Sequence, residues 1–318
     1  MNRQASLDIL KLSMALMVVG LHGHFLADVS TVTSYLLIQG IFRIAVPTFL
    51  LINGFYLYST LEANRLGVWL KRMITLYLCW TLFYAYTWWP SDPSTLESIY
   101  LITRTLIIGY FHLWYISGLI GAGVLMYLVH KWSTRSLIVL LMATFIGGVA
   151  IQYIGSYHLL GDSLIDNLFN RFVAHRNFLF LSFPFLCLGY LIRKHSLHEK
   201  ITSRQSLALL GISTLFLLAE SFANYYFVGP KVSFDNLIFI FLVCPALFLF
   251  TIRQNVAIDG KSLAAYSAAI YFIHPCIIRF LEHTFSLNDT PLTIATVLIS
   301  IPAAWLIIQA NRKVGVLL

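Results

Sequence analysis

Charge is what this chain has least of. Asp, Glu, Lys and Arg supply 11% of its 318 residues, where soluble globular domains carry about a quarter. With 59% hydrophobic residues and a mean hydropathy of +0.80, that shortage excludes a soluble globular domain. Cysteine is scarce too. Cys79, Cys187, Cys244 and Cys276 fall inside apolar stretches without C-x-x-C spacing. They read as small packing residues, implying neither disulfides nor zinc. No H-E-x-x-H pattern, P-loop or G-x-S-x-G elbow occurs, so zincin, phosphate-loop and hydrolase-elbow chemistry have no foothold. His22-Gly23-His24 sets its two rings on opposite helix faces, which also fits a metal poorly. Low-complexity tracts and visible repeats are lacking, and the connecting segments leave no room for a separate soluble domain. One domain over 1–318 is expected.

What is present is a series of apolar runs about 20 residues long, the length of a membrane-crossing helix. Outer-membrane strands would show short alternating segments instead. Ten spans are expected, at about 7–27, 34–58, 68–89, 108–129, 136–154, 176–193, 205–225, 236–252, 263–281 and 291–310. The fold class is therefore an all-α integral membrane protein with about ten transmembrane helices. Lys and Arg placement sets the orientation. With the N-terminus inside, the inner segments hold most of the basic residues, among them Arg3, Lys71, Arg72, Arg135 and Lys261. The outer segments keep Arg104, Arg171, Arg176 and Lys231 among acids that include Asp28, Asp166, Asp235 and Asp289. Both termini are thus expected in the cytoplasm, and the chain in a bacterial cytoplasmic (inner) membrane as a multi-pass protein. Ala27-Asp28-Val29-Ser30 is a poor cleavage site and further spans follow, so the first span is not a signal peptide. The net charge of +8 is mostly a topology signal; the bilayer, not nucleic acid, is the expected partner.

Against this background the buried ionisable residues stand out. Lys11 and His22 lie eleven positions apart in one apolar stretch. At about 100° per residue they share a helix face, roughly 16 Å apart along the axis. Asp8 lies on that face one turn before Lys11, in place for an i,i+3 ion pair, while His24 points nearly the opposite way. Arg43 and His274 sit deep in apolar sequence, and His112, Arg176 and Glu220 lie toward outer helix ends. The expectation is one polar cluster in the outer half above a basic entrance at Lys71 and Arg72. Intramembrane ionisable groups mark functional sites. For His112, Arg176, Lys71 and Arg72 an interfacial anchoring role is equally open, and for Arg104 it is the preferred one.

In order along the chain, several motifs resemble the membrane acyltransferase-3 family. Lys11, ten residues and His22 resemble its first-span Arg/Lys-x10-His. Arg43-Ile44-Ala45-Val46-Pro47-Thr48-Phe49, ending in Asn53-Gly54, resembles its second-span pattern. Lys71-Arg72 stand where it places basic residues before the third span, although Thr75 breaks its Arg-x-x-Arg pair. His112-Leu113-Trp114-Tyr115, Phe183-Pro184-Phe185 with Leu188-Gly189-Tyr190, and Tyr271-Phe272-Ile273-His274 complete the series.

The resemblance implies an O-acyltransferase that moves an acetyl or other acyl group from cytoplasmic acetyl-CoA to a hydroxyl of a surface polysaccharide, lipopolysaccharide or lipid-linked glycan. His22 is then the expected general base, with Lys11 and Arg43 supplying positive charge at the reacting centre. Lys71, Arg72 and Lys11 would hold the donor's phosphates. His112, Trp114, Arg176 and His274 would meet the acceptor, and no metal is called for. Two other classes stay open: a ten-span transporter or flippase, which typically shows Gly/Pro-broken helices in paired halves, a pattern not found in this sequence, and a non-catalytic binding module.

Overall fold

The computed structural model describes residues 4–256 and 260–318. Arg3 and the side chain of Lys261, counted above with the inner basic residues, lie outside the described residues. Among the described residues there are helices and no strand. In chain order α1 spans Ala5–His22, α2 Thr31–Ile38, α3 Ala45–Glu62, α4 Leu66–Phe83, α5 Ala85–Trp88 and α6 Leu96–Ile108. Then come α7 Trp114–Val129, α8 Thr134–Ser156, α9 Leu164–Phe169, α10 Phe172–His175 and α11 Phe183–Lys194. The last five are α12 Leu197–Lys200, α13 Ser203–Phe227, α14 Ile240–Ile252, α15 Gly260–Phe285 and α16 Asp289–Val314.

Among the described residues eight segments are long and apolar enough to cross a membrane: Ala5–His22, Thr31–Glu62, Leu66–Phe83, Phe111–Val129, Thr134–Ser156, Ser203–Phe227, Ser262–Phe285 and Asp289–Val314. They answer to eight of the ten expected spans. The other two are shorter. Over 176–193 a π turn, Phe178–Ser182, runs into the twelve residues of α11. Over 236–252 only the thirteen residues of α14 are helical, about 20 Å against a hydrocarbon core of about 30 Å. Glu220 explains where α14 begins. Its carboxylate accepts from the Ile238 and Phe239 amides at 2.7 and 3.0 Å, occupying orphan donors at the positive end of the helix. Glu220 therefore serves as a cap and does not join the expected polar cluster.

The second span is also not one continuous helix. At Gly40 the backbone leaves helical geometry, and a 3-10 turn over Ile41–Ile44 separates α2 from α3. A Cβ on Gly40 would run into the Leu36 carbonyl and the Ser221 side chain, so close packing calls for glycine at the break.

The chain divides into two compact units, Met1–Ile52 with Ile192–Val314 and Leu318, and Asn53–Leu191 with Gly315–Leu317. In the first, α1 packs along α15, α15 along α16 and α13 along α14. Ser267 Oγ donates to the Lys11 carbonyl at 2.7 Å, and His274 meets His22 further along, so α1 and α15 run in the same direction. Met14, Ala15, Val18 and Val19 are buried on α1. Ile277, Ile278 and Leu281 of α15 close a small core with Leu292 of α16. In the second unit α7 packs on α4 and on the Phe178–Ser182 turn. Asn53 donates to the Tyr115 hydroxyl at 2.9 Å, and a Cβ on Gly54 would strike the Leu186 backbone. The Asn-Gly pair thus combines a hydrogen bond with a close helix approach.

Beyond α11 the chain is tied back by arginines. Arg253 donates to the carbonyls of His198, Glu199 and Ile201 at 3.1, 3.2 and 3.1 Å. Arg193 Nη1 lies 2.9 Å from His198 Nε2. A guanidinium only donates, so that nitrogen accepts. Burial and the Arg193 charge hold the His198 pKa below the ordinary histidine value. The unfolded chain is then the first to take up this proton as pH falls. His198 contributes stability above about pH 6.5 that is lost on acidification below it. Thermal midpoints measured across that range are expected to fall for the wild type and to fall less for His198→Gln; equal losses would remove His198 as the cause.

Candidate functional site

The site is built from a proline. Pro275 stands inside α15 directly after His274. Having no N–H, it leaves the Tyr271 carbonyl without its helical donor. His274 takes that place: its Nδ1 lies 2.8 Å from the Tyr271 oxygen and 3.2 Å from the Ile270 oxygen. Carbonyls only accept, so His274 Nδ1 bears the hydrogen, and the neutral ring offers Nε2 as an acceptor. His22 Nδ1 sits 2.8 Å from that Nε2 and must donate to it. The lone pair of His22 is therefore on Nε2. The ring centroids are 5.1 Å apart with planes 7° from parallel, so the two imidazoles meet edge to edge through this bond.

Exposure separates their roles. His274 is 0% exposed, whereas His22 is half-buried. Of the two, His22 is the more exposed. Expected among the acceptor-binding residues, His274 is instead placed to hold His22 in one tautomer and orientation. His24 also differs from expectation. It lies past the end of α1 in an exposed turn with φ of 54°, so its separation from His22 comes from the helix ending, not from the opposite helix face.

Lower on α1, Lys11 Nζ and Asp8 Oδ1 are 3.2 Å apart, with side chains 25% and 3% exposed. This is the i,i+3 pair that the spacing predicts. Arg43 sits in the 3-10 turn, which packs on α1 where the Phe42 ring covers Gly20. Its Nη1 meets Asp235 Oδ1 at 2.5 Å, and its Nε and Nη2 donate to Gln39 Oε1. Asp235, assigned from sequence to an outer segment, is buried. The Arg43 charge thus has an internal counter-ion, and the residue clamps the turn that interrupts the second span. No signal in the sequence pairs residues 43 and 235.

The remaining expected residues belong to the second unit. Lys71 and Arg72 are exposed on α4. His112 is buried in a 3-10 turn, edge-on to the Tyr84 ring at 5.2 Å. Arg176 has its guanidinium 5.1 Å from the Trp114 ring centre and 4.5 Å from that of Phe172. Trp114 and Arg176, far apart in sequence, are brought together as an aromatic and a cation. Arg43, His112 and Arg176 all stand where regular α-helix is interrupted. Non-helical backbone at membrane depth is tolerated where it is buried in protein or lines a cavity.

Comparison with known proteins gives relatives of mixed name. A serine/alanine racemase of Enterococcus gallinarum is 27% identical over 310 residues, which is 90% of this chain and 43% of that protein. An amino-acid racemase of Enterococcus faecalis is 24% identical over 99% of this chain and 47% of its own length. The chain spans less than half the length of either relative. No solved structure matches. Residues 4–309 match the acyltransferase-3 family, whose members are described by an acyltransferase domain. That match runs through both units and nearly the whole chain, and the chain belongs to the acyltransferase-3 family.

Proposed function

We propose that this protein is a multi-pass enzyme of a bacterial cytoplasmic membrane, with both termini inside, that transfers an acetyl or related acyl group from acetyl-CoA to a glycan hydroxyl. The observation that carries the reading is the His22–His274 pair, which leaves a reachable imidazole with its lone pair on a defined nitrogen. His22 Nε2 takes the hydroxyl proton as the oxygen attacks the thioester carbonyl. The C–S bond then breaks, the CoA thiolate leaves, and His22 returns the proton to the sulfur. Lys11, held by Asp8, contributes positive charge on the donor side. Arg43, neutralised by Asp235, is assigned to shaping the wall and not to the donor's phosphates. Lys71 and Arg72 receive the donor phosphates at the inner mouth, and Trp114 and Arg176 receive the acceptor.

One observation favours a second reading. The break at Gly40 gives the second span the discontinuity common in secondary transporters. Mass spectrometry of surface glycans separates the two. An acetyl-sized mass present in the intact strain, and missing in the deletion strain and the His22→Ala strain, is the expected result. Identical glycans in all three, together with no CoA release by the purified protein, would support the transporter.

A further inference from the structure

Within the second unit a cavity of about 190 Å³ is enclosed by the end of α6, the turn before α7, and α10. Its volume suits one ring-sized group, being smaller than the ~300–1,000 Å³ of drug-sized pockets. Arg104, Tyr110, Phe111, Trp114, Phe172 and Arg176 supply the chemistry of its wall. Among the described residues its charged lining is the two arginines, with no Asp or Glu. Arg104, preferred from sequence as an interfacial anchor, thus belongs to this wall.

The geometry fixes one of the cations. Arg176 is half-buried and stacked on Trp114 and Phe172, which sets the guanidinium plane and directs its N–H groups outward from the edge. Gly109 makes the turn possible. It adopts φ of 99°, and a Cβ there would come within 2.6 Å of the Trp114 backbone nitrogen. The chain therefore folds tightly under the indole and carries Tyr110 and Phe111 to the same cavity.

Aromatic faces suit the apolar C–H faces of a sugar ring, and fixed guanidiniums suit a carboxylate or phosphate. Two like charges around so small a space favour an anion between them. We propose that this cavity selects a sugar ring bearing an acidic group, so that the acceptor glycan carries an acidic residue. The inference rests on the acyltransferase reading for the word acceptor, but the binding claim itself does not involve His22 or the acyl donor.

The test uses the full chain in nanodiscs of neutral phosphatidylcholine, titrated with methyl glucuronide, glucose 1-phosphate and the neutral methyl glucoside. At least one acidic probe is expected to bind roughly tenfold or more tightly than the glucoside, with the preference shrinking as salt rises. Arg104→Gln and Arg176→Gln should each reduce that preference, and Trp114→Leu should weaken every probe. Arg104 is exposed, so its substitution tests charge without endangering the fold. A stronger response to the glucuronide identifies a carboxylate, and a stronger response to the phosphate ester a phosphosugar. Equal binding of neutral and acidic probes, no binding of any, or a preference untouched by both arginine variants would overturn the proposal. Failure of acyl transfer in cells, with acidic-sugar binding intact, would count against the enzymatic reading alone.

Discussion

His22→Ala is expected to lower acyl transfer by about 10²–10⁴-fold, the range that a positioned general base supplies, while the amount of folded protein stays near wild type. The half-buried ring can be truncated without opening a sealed core, so the loss should appear in turnover and not in yield. His274→Ala is expected to be harmful by a different route, since Nε2 of His22 is defined only while His274 accepts from Nδ1. Pro275→Ala sharpens the distinction. It restores an N–H that competes with His274 for the Tyr271 carbonyl, so activity should fall and its pH profile shift even though the helix gains a hydrogen bond. His24→Ala should be nearly silent. Purified protein, acetyl-CoA and a thiol-reactive readout of CoA release check the series. Wild-type turnover in His22→Ala would remove the base, and equal losses at His22 and His24 would remove the geometric argument.

The second large effect is on stability. Asp235→Ala leaves Arg43, whose side chain is 9% exposed, without its counter-ion, at an expected cost of about 3–5 kcal/mol. Replacing both residues by apolar ones of similar volume, as in Arg43→Met with Asp235→Leu, should recover much of that loss, because the desolvation cost disappears with both charges. Melting midpoints in detergent for Arg43→Met, Asp235→Leu and the double variant form a complete cycle. An unchanged midpoint in Asp235→Ala would show that the pair does not hold the turn. Recovered stability without recovered transfer would show that Arg43 is needed for more than the fold.

Much of this was legible in the sequence because a membrane imposes simple rules. Apolar runs reported the helices, and the eleven-residue spacing of Lys11 and His22 with Asp8 three residues earlier reported one face and one ion pair. The interruptions were not legible as apolar runs. Gly40 lies in sequence as hydrophobic as the helices beside it, and what breaks the helix there is a close neighbour, not a polar residue. The Arg43–Asp235 pair joins positions 192 apart, beyond any local pattern. Glu220 looked like a site residue because a carboxylate in an apolar run is costly; a helix start elsewhere meets that cost. Pro275 was readable. A proline directly after a histidine in a helix frees a carbonyl within reach of the ring.

The partnership of His22 and His274 spans 252 residues, and this bears on how the protein is made. At about 5–20 residues per second, roughly 13–50 s of translation separate the emergence of the two rings. Throughout that interval the first helix is already synthesised while the helix that orients its histidine is not. α1 must therefore stay free to be joined late from the side, and a chain stopped before α15 is made carries His22 without the ring that its Nδ1 meets.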